Sequence, residues 1–314
     1  MHIPNEMLQG AICPVTAVVS SVGVSLATYF AIKSKERPSA LKFASVSAII
    51  FAFQMLNFPV QNGTSGHLLG SALAASLLGA PFGILAMSII LMIQSIIFSD
   101  GGITTLGANI LNMGIIATSV SYFLISMIKK LMKNSKIGEY VSIITASFIS
   151  VIVASFVCSI ELGIGGGIGF IKVIPAMVGV HSIIALFEIV ITIALYYVLS
   201  SVFTNERSLS SDNKYSSKIG KILSIISLLF IAILLSPFAS NLPDGLEYVA
   251  KQLNFVKEGL PTFVTPFSDY SFSLVSIHYI STFVSSMFGV VLTFLSVFGL
   301  GILINTKYRM ENRK

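Results

Sequence analysis

The chain has 314 residues, of which 54% are hydrophobic and only 10% are charged, and its formal net charge is +6. Soluble domains carry about 25% charged residues, so this chain has too few charged side chains for an ordinary soluble domain. Apolar runs long enough to cross a bilayer recur along the sequence, for example at 141–158 and 181–203. We therefore predict an all-α polytopic membrane protein in a lipid bilayer. The positive charge is expected in cytoplasmic loops and gives no argument for a nucleic-acid partner.

The distribution of basic residues predicts the topology. Sixteen of the 19 Lys and Arg residues fall in four clusters, at 33–42, 129–136, 207–221 and 307–314. Cytoplasmic loops carry the excess of Lys and Arg, so an even number of spans should separate neighbouring clusters. Nine spans satisfy this condition, at 11–32, 41–57, 67–80, 81–98, 104–128, 137–158, 171–203, 220–236 and 276–304. The amino terminus is then outside and the carboxyl terminus inside.

The same reading divides the chain into two membrane parts. Residues 1–204 are predicted to form a seven-helix unit, and the polar stretch 205–218 a cytoplasmic linker. Residues 219–314 are predicted to form a two-helix segment whose outside portion covers about 237–275.

Two of the four histidines, His2 and His67, fall in segments that this topology places outside. The terminal amine of Met1, the amide nitrogen of His2 and Nδ1 of His2 can close two fused chelate rings around one ion. His67 is then the candidate for the fourth position in the plane, and four planar nitrogen ligands suit Ni(II) or Cu(II). Alternatively, His2 is a disordered terminal residue and His67 is a loop histidine with structural partners. The spacing alone leaves both interpretations open.

The surroundings of His67 and the later spans add further candidates. Gly63 and Gly66 in the GTSGH stretch allow tight turns, and Ser65 is expected to cap a helix beginning near His67. His181 and Glu188 are seven residues apart and therefore share one face of the seventh span. Ionisable groups inside a membrane often have a function, and these two are interpreted either as partners of the metal ligands or as a structural pair.

The outside part of the tail contains a short motif of its own, Pro243, Asp244, Gly245, Leu246 and Glu247. Pro-Asp-Gly predicts a turn, and Glu247 can stabilise the start of the helix that follows. Asp244 and Glu247 could attract cations, but a turn followed by a capped helix is the favoured interpretation.

Several blocks together resemble one family. MHIP at 1–4, FPVQNGTSGHLLGSALAASLLGAPFG at 58–83, FSDGGITTLGANILNMG at 98–114 and PAMVGVHSIIALFE at 175–188 resemble the CbiM/NikM family, the substrate-binding membrane components of energy-coupling-factor transporters for cobalt and nickel. The PDGLE stretch resembles a domain that is found in auxiliary components and is sometimes fused to the binding subunit. Asn5, Glu6 and Asn62 depart from the common family pattern.

The resemblance implies a binding site and a function. It implies that Met1, His2 and His67 bind one Ni²⁺ or Co²⁺, with no cofactor beyond this transported ion, and that the PDGLE motif has an accessory role in metal loading or transport. Candidates for residues that support the ligands are Asn62, Thr64, Ser65, His181 and Glu188. The expected protein is a non-enzymatic subunit of an ATP-driven importer in a prokaryotic cell membrane.

Energy has to come from other chains, because the sequence contains no phosphate-binding loop of the kind that ATPases use. The expected partners are a transmembrane coupling subunit and ATP-binding-cassette ATPase subunits. A membrane metalloenzyme is the first alternative, and it is disfavoured because no HExxH pair occurs. An ion-coupled carrier is the second, and it is disfavoured because Glu188 is the sole acidic residue deep in a predicted span. Sequence alone does not choose between nickel and cobalt.

Overall fold

The computed structural model describes residues 1–61, 63–204, 225–255, 265 and 267–311. The predicted linker at 205–218 and the candidate Asn62 lie outside the described residues. In chain order the helices are α1 (Ile12–Lys33), α2 (Ala40–Gln54), α3 (Ser71–Leu78), α4 (Ala80–Ile97), α5 (Leu106–Leu131), α6 (Lys136–Gly165), α7 (Phe170–Thr204), α8 (Ile225–Phe238), α9 (Gly245–Gln252) and α10 (His278–Glu311). Two short antiparallel strands, β1 (Phe58–Pro59) and β2 (Ser65–Gly66), pair in the loop before α3.

Each of the nine predicted spans contains a helix, but the helices differ greatly in length. Among the described residues, the six helices α1, α4, α5, α6, α7 and α10 are long and apolar enough to cross a membrane. Helices α2 and α8 are shorter, and α3 has eight residues, which is about 12 Å of helix against a hydrocarbon core of about 30 Å. The structure therefore supports a multi-pass helical protein, while the count of nine crossings stays a prediction.

A sharp turn at Gly79 separates α3 from α4. Gly79 has a φ of 78°, a left-handed conformation that glycine adopts without strain. The chain then folds back, because a Cβ on Gly83 would lie 3.3 Å from the main-chain carbon of Ala74. In one continuous helix these residues would be about 13 Å apart. The segment 67–98 is thus two helices, as the basic clusters require.

Helix α6 extends beyond its predicted end at residue 158 and runs to Gly165. Glu161 therefore lies inside a long apolar helix, where it is buried and accepts a hydrogen bond of 2.6 Å from Asn112 Nδ2. Because Glu161 lies only four residues before the end of this 30-residue helix, the expectation that Glu188 is the sole acidic residue deep in a span stays a prediction.

The amino-terminal unit and the carboxyl-terminal helices share one hydrophobic core. Helix α10 packs along α2, where a Cβ on Gly289 would come within 2.4 Å of the Phe51 ring. Lys33 at the end of α1 forms an ion pair of 2.9 Å with Glu311 at the end of α10. Lys33 and Glu311 lie at the opposite end of the bundle from the segments that carry His2 and His67.

Candidate metal centre

The first residues of the chain are buried in the bundle. Met1 is 4% exposed, His2 6% and Ile3 0%. The amide nitrogen of Ile3 donates to Asn109 Oδ1 at 2.8 Å, and its carbonyl accepts a hydrogen bond of 2.9 Å from the Gly102 amide. These contacts fix both the amide and the carbonyl of Ile3, so the terminal amine two residues earlier has a defined position.

Asn5 fixes the same segment from the other side. Its Oδ1 accepts hydrogen bonds from the Thr104 amide at 2.9 Å and the Thr104 hydroxyl at 2.7 Å. A Cβ on Gly102 would lie 2.3 Å from this oxygen, so glycine is needed at 102 for the two segments to meet. Asn5, a departure from the common family pattern, therefore anchors the terminus.

The terminal amine and His67 are in direct contact. Met1 N lies 2.9 Å from His67 Nε2, and the rings of His2 and His67 stack with their centroids 5.1 Å apart. His67 Nδ1 donates to the carbonyl of Leu68 at 3.0 Å, so Nε2 presents its lone pair to the amine. Two nitrogen ligands about 2.0 Å from one ion and at a right angle lie about 2.8 Å apart. The observed distance is close to that value.

Two glutamines determine which nitrogen of His2 carries a lone pair. Gln54 Nε2 donates to the carbonyl of Leu69 at 2.7 Å, so its Oε1 is left to accept from Gln94 Nε2 at 3.0 Å. Gln94 Oε1 then lies 3.1 Å from His2 Nε2 and accepts its proton. A neutral imidazole has one N–H, so Nδ1 of His2 is the unprotonated nitrogen. Chelation with the terminal amine requires that nitrogen.

The electrostatics keep both imidazoles neutral. Burial, followed by the charge of the terminal ammonium, lowers the pKa of His2 to about 3. The same causes in the same order lower the pKa of His67 to about 3. Asp100 Oδ1 lies 3.2 Å from His2 Nδ1, and burial raises the pKa of this carboxyl. Neutral imidazoles are the form that binds a metal ion.

Glu188 supports the His67 loop from helix α7. Its carboxylate accepts hydrogen bonds from the amides of Leu69 at 2.6 Å and Gly70 at 3.0 Å, directly after His67. Gly70 has a φ of 82° and precedes the first residue of α3. The carboxylate thus satisfies two main-chain amides of the turn before α3 and fixes the turn that presents His67.

The other candidates around His67 have different roles from those expected. Ser65 lies in β2 rather than at a helix start, because α3 begins only at Ser71, so its expected capping role is wrong. The Thr64 hydroxyl is buried and has no hydrogen-bond partner among the described residues. His181 Nδ1 donates to the Met177 carbonyl at 2.8 Å.

The PDGLE motif packs against this site. The Ser65 amide donates to the Pro243 carbonyl at 2.8 Å. A Cβ on Gly245 would lie 2.8 Å from Ile184 Cδ1 and 3.0 Å from His181 Cε1, so only glycine fits between these side chains without a shift. His181 is therefore part of the surface on which the motif docks.

Asp244 makes both the expected contact and one that the sequence did not reveal. Its Oδ1 accepts from the Glu247 amide at 2.8 Å and caps α9, as the turn-and-cap interpretation predicts. Its Oδ2 accepts from the terminal amine of Met1 at 2.9 Å. Burial alone would raise the pKa of Asp244, but the terminal ammonium and the other groups around it lower that pKa far below its usual range.

A cavity of about 320 Å³ opens beside His2 and His67. Its walls carry four carboxylates, namely Asp100, Asp244, Glu247 and Asp269. Of these four, Asp244 contacts the terminal amine and Asp100 the His2 ring. Among the described residues no three His, Cys, Asp or Glu side chains converge into one group that could hold a metal ion.

Comparison with known proteins identifies the family. The family CbiM, described as the cobalt uptake substrate-specific transmembrane region, matches residues 2–205. The chain belongs to the CbiM family. The PDGLE domain matches residues 220–306, which confirms both resemblances drawn from the motifs.

Relatives of this CbiM-family chain are transport proteins by name. A protein of Archaeoglobus fulgidus that carries the name fused nickel transport protein NikMN is 30% identical over 284 residues, covering 88% of this chain and 92% of the relative. The cobalt transport protein CbiM of Lachnoclostridium phytofermentans is 32% identical over 177 residues, covering 54% of this chain and 69% of the relative. A crystal structure of a truncated transition metal transporter has a TM-score of 0.57 at 28% identity, covering 64% of this chain and 99% of that one.

Four residues of this CbiM-family site were not among the sequence-based candidates. Gln54 and Gln94 lie inside apolar helices, Asp100 follows α4, and Asn109 lies in α5. The polar side chains in otherwise apolar helices were the available signal, because an uncharged amide in a membrane span requires a hydrogen-bond partner.

Proposed function

We propose that this protein is the substrate-binding membrane subunit of an ATP-driven importer for Ni²⁺ or Co²⁺ in a prokaryotic cell membrane. It captures the ion from outside through the terminal amine and the amide nitrogen and Nδ1 of His2, with His67 as the fourth ligand. The observation that carries the proposal is the 2.9 Å contact between Met1 N and His67 Nε2, beside a His2 ring stacked on His67.

The charges around the site support a divalent ion. Amide ligation removes one proton from the His2 peptide, so a bound Ni²⁺ carries a formal charge of about +1 together with its ligands. Asp100 and Asp244 line the same cavity and can offset that charge. A planar arrangement of nitrogen ligands also favours Ni²⁺ over ions that prefer oxygen ligands, such as Mg²⁺ and Ca²⁺.

Transport requires partners in this proposal. A transmembrane coupling subunit and ATP-binding-cassette ATPases supply the energy, and this chain supplies the binding site. The amino terminus and the PDGLE segment face outside, and the basic ends of the helices face the cytoplasm. Uptake by this chain alone, in a host without any such coupling module, would favour an ion-coupled carrier instead.

An extension of the terminus tests the binding site. Adding two Gly residues before Met1 moves the free amine away from His2 and removes the two fused chelate rings, so stoichiometric metal binding should be lost. Two residues are needed, because a single Gly would make His2 the third residue from a free amine, and the amine, two amides and imidazole of such a terminus bind Ni²⁺ in a plane by themselves. The metal content of purified protein loaded with Ni²⁺ or Co²⁺ is measured by mass spectrometry, and thermal unfolding reports whether the protein still folds. Two Gly residues added within the 133–136 turn, at the other end of the bundle, are the matched control and should leave binding intact.

A further inference from the structure

Asp244 uses its two carboxylate oxygens for two different tasks. Oδ1 accepts the Glu247 amide and caps α9, whereas Oδ2 accepts a hydrogen bond from the terminal amine of Met1 at 2.9 Å. The ion pair is well shielded, since the side chain of Met1 is 3% exposed and that of Asp244 15%. A helix cap requires only one oxygen, so the second contact needs a separate explanation.

The position of Asp244 is fixed by the same loop that carries His67. The Ser65 hydroxyl donates to the Leu242 carbonyl at 2.7 Å, and the Ser65 amide donates to the Pro243 carbonyl at 2.8 Å. Ser65 is two residues before His67, so one short segment positions both the Asp244 carboxylate and the His67 imidazole. The terminal amine lies between them and contacts both at 2.9 Å.

We propose that Asp244 is a positioning residue that orients the terminal amine for the transported ion. This inference rests on the proposed function. A primary amine bound to an ion keeps two N–H groups, and one of them continues to donate to Asp244 Oδ2. On binding, the terminal ammonium releases to water the proton that it donates to His67 Nε2, and the lone pair freed on Met1 N then points toward the ion beside that imidazole.

This arrangement assigns the fused segment a task that a free-standing binding unit would lack. Without Asp244 the amine can rotate about its bond to the α-carbon, and its lone pair samples directions away from His67. Holding a ligand in its binding geometry before the ion arrives lowers the entropy lost on binding. Partners of metal ligands have effects of about tenfold to a hundredfold on metal affinity.

Asp244→Asn separates the positioning role from the capping role. Asn is as good a helix cap as Asp, so its Oδ1 can keep the bond to the Glu247 amide. Its Nδ2 then faces the terminal amine, and a donor replaces the acceptor. Asp269→Asn is the matched control, because Asp269 lines the same cavity and Asn accepts its positive φ of 53°.

The experiment measures Ni²⁺ affinity of the full chain in detergent at one fixed pH, by competition with a chelating dye. Asp244→Asn is expected to bind Ni²⁺ about tenfold to a hundredfold more weakly, and Asp269→Asn within about twofold of the unaltered protein. A shift in the visible spectrum of bound nickel in Asp244→Asn would report altered ligand geometry, which the loss of a helix cap alone does not produce.

Two results overturn the proposal. One is unaltered affinity and spectrum in Asp244→Asn, and the other is an equal loss in both Asn variants, which would reflect cavity charge alone. His67→Gln is measured alongside: if it abolishes binding while Asp244→Asn does not, the positioning role fails and the proposed site stands. If His67→Gln binds normally, the proposed site itself fails. Should Asp244→Asn lower the thermal midpoint, Asp244→Ser, which also keeps a capping oxygen, is tested by the same criteria.

Discussion

Replacing Glu188 by Gln should weaken metal binding although Glu188 is not a proposed ligand. The carboxylate is 1% exposed and accepts the amides of Leu69 and Gly70 at 2.6 and 3.0 Å. Gln has one acceptor oxygen, and its NH₂ group would face the second amide. One main-chain N–H in the turn after His67 would then lose its partner.

The magnitude follows from that single orphaned amide. A buried donor without a partner costs about 1–3 kcal/mol. If the loop relieves this cost by moving, the same free energy is lost from metal binding, which corresponds to roughly fivefold to a hundredfold in affinity.

The assay is Ni²⁺ affinity by calorimetry, with thermal unfolding as the check on folding. Glu161→Gln is the control, since Glu161 is another buried carboxylate within a helix but accepts from Asn112 Nδ2. Glu161→Gln should leave affinity within about twofold, because Glu161 bonds to Asn112 and not to the amides of the His67 turn. Normal Ni²⁺ binding by Glu188→Gln would show that this carboxylate does not fix the His67 turn. An equal loss of Ni²⁺ affinity in Glu188→Gln and Glu161→Gln would show a general effect of removing buried charge.

Two further predictions concern pH and close packing. Because burial lowers the pKa of His2 and of His67 to about 3, the unfolded chain binds protons that the folded chain does not between about pH 6.5 and 3, so stability falls as pH falls through that window. At pH 5 the free energy of unfolding is lowered by about 2 kcal/mol per histidine. The thermal midpoint of metal-free protein should therefore drop as pH falls, and His67→Gln should make this drop less steep. A thermal midpoint that does not change with pH would contradict the lowered pKa values. Gly245→Ala places a Cβ 2.8 Å from Ile184 Cδ1 and 3.0 Å from His181 Cε1, which should cost about 1–3 kcal/mol. The double variant Gly245→Ala with Ile184→Val, which lacks Cδ1, should regain part of the lost thermal stability. An unchanged thermal midpoint in Gly245→Ala would show that the PDGLE motif is not tightly docked.

Local patterns in the sequence were sufficient to bring the amino terminus and His67 together. The basic clusters placed both segments at one end of the bundle, and the family motifs singled out the same two histidines. The structure brings Met1 N within 2.9 Å of His67 Nε2. The turn at Gly79 was also predictable, since a Gly followed by Ala-Pro interrupts a helix pattern.

Other parts of the site depend on contacts between distant segments, which spacing does not reveal. The bond between Asp244 and the terminal amine joins residues 243 positions apart, whereas the turn at 243–245 and the capped helix after it are local features that the sequence predicts. Ser65 was misassigned because the chain stays extended after His67, and α3 begins only at Ser71. Gln54 and Gln94 bond to each other from separate helices, so neither helix pattern predicts the pair.

The nickel content of the protein extended by two Gly residues before Met1 tests the central claim most directly. The unaltered protein should retain one Ni²⁺ per chain after gel filtration, and the extended protein should retain none while unfolding at a similar temperature when both are metal-free. One Ni²⁺ retained by the extended protein would contradict a site built on the terminal amine and His2.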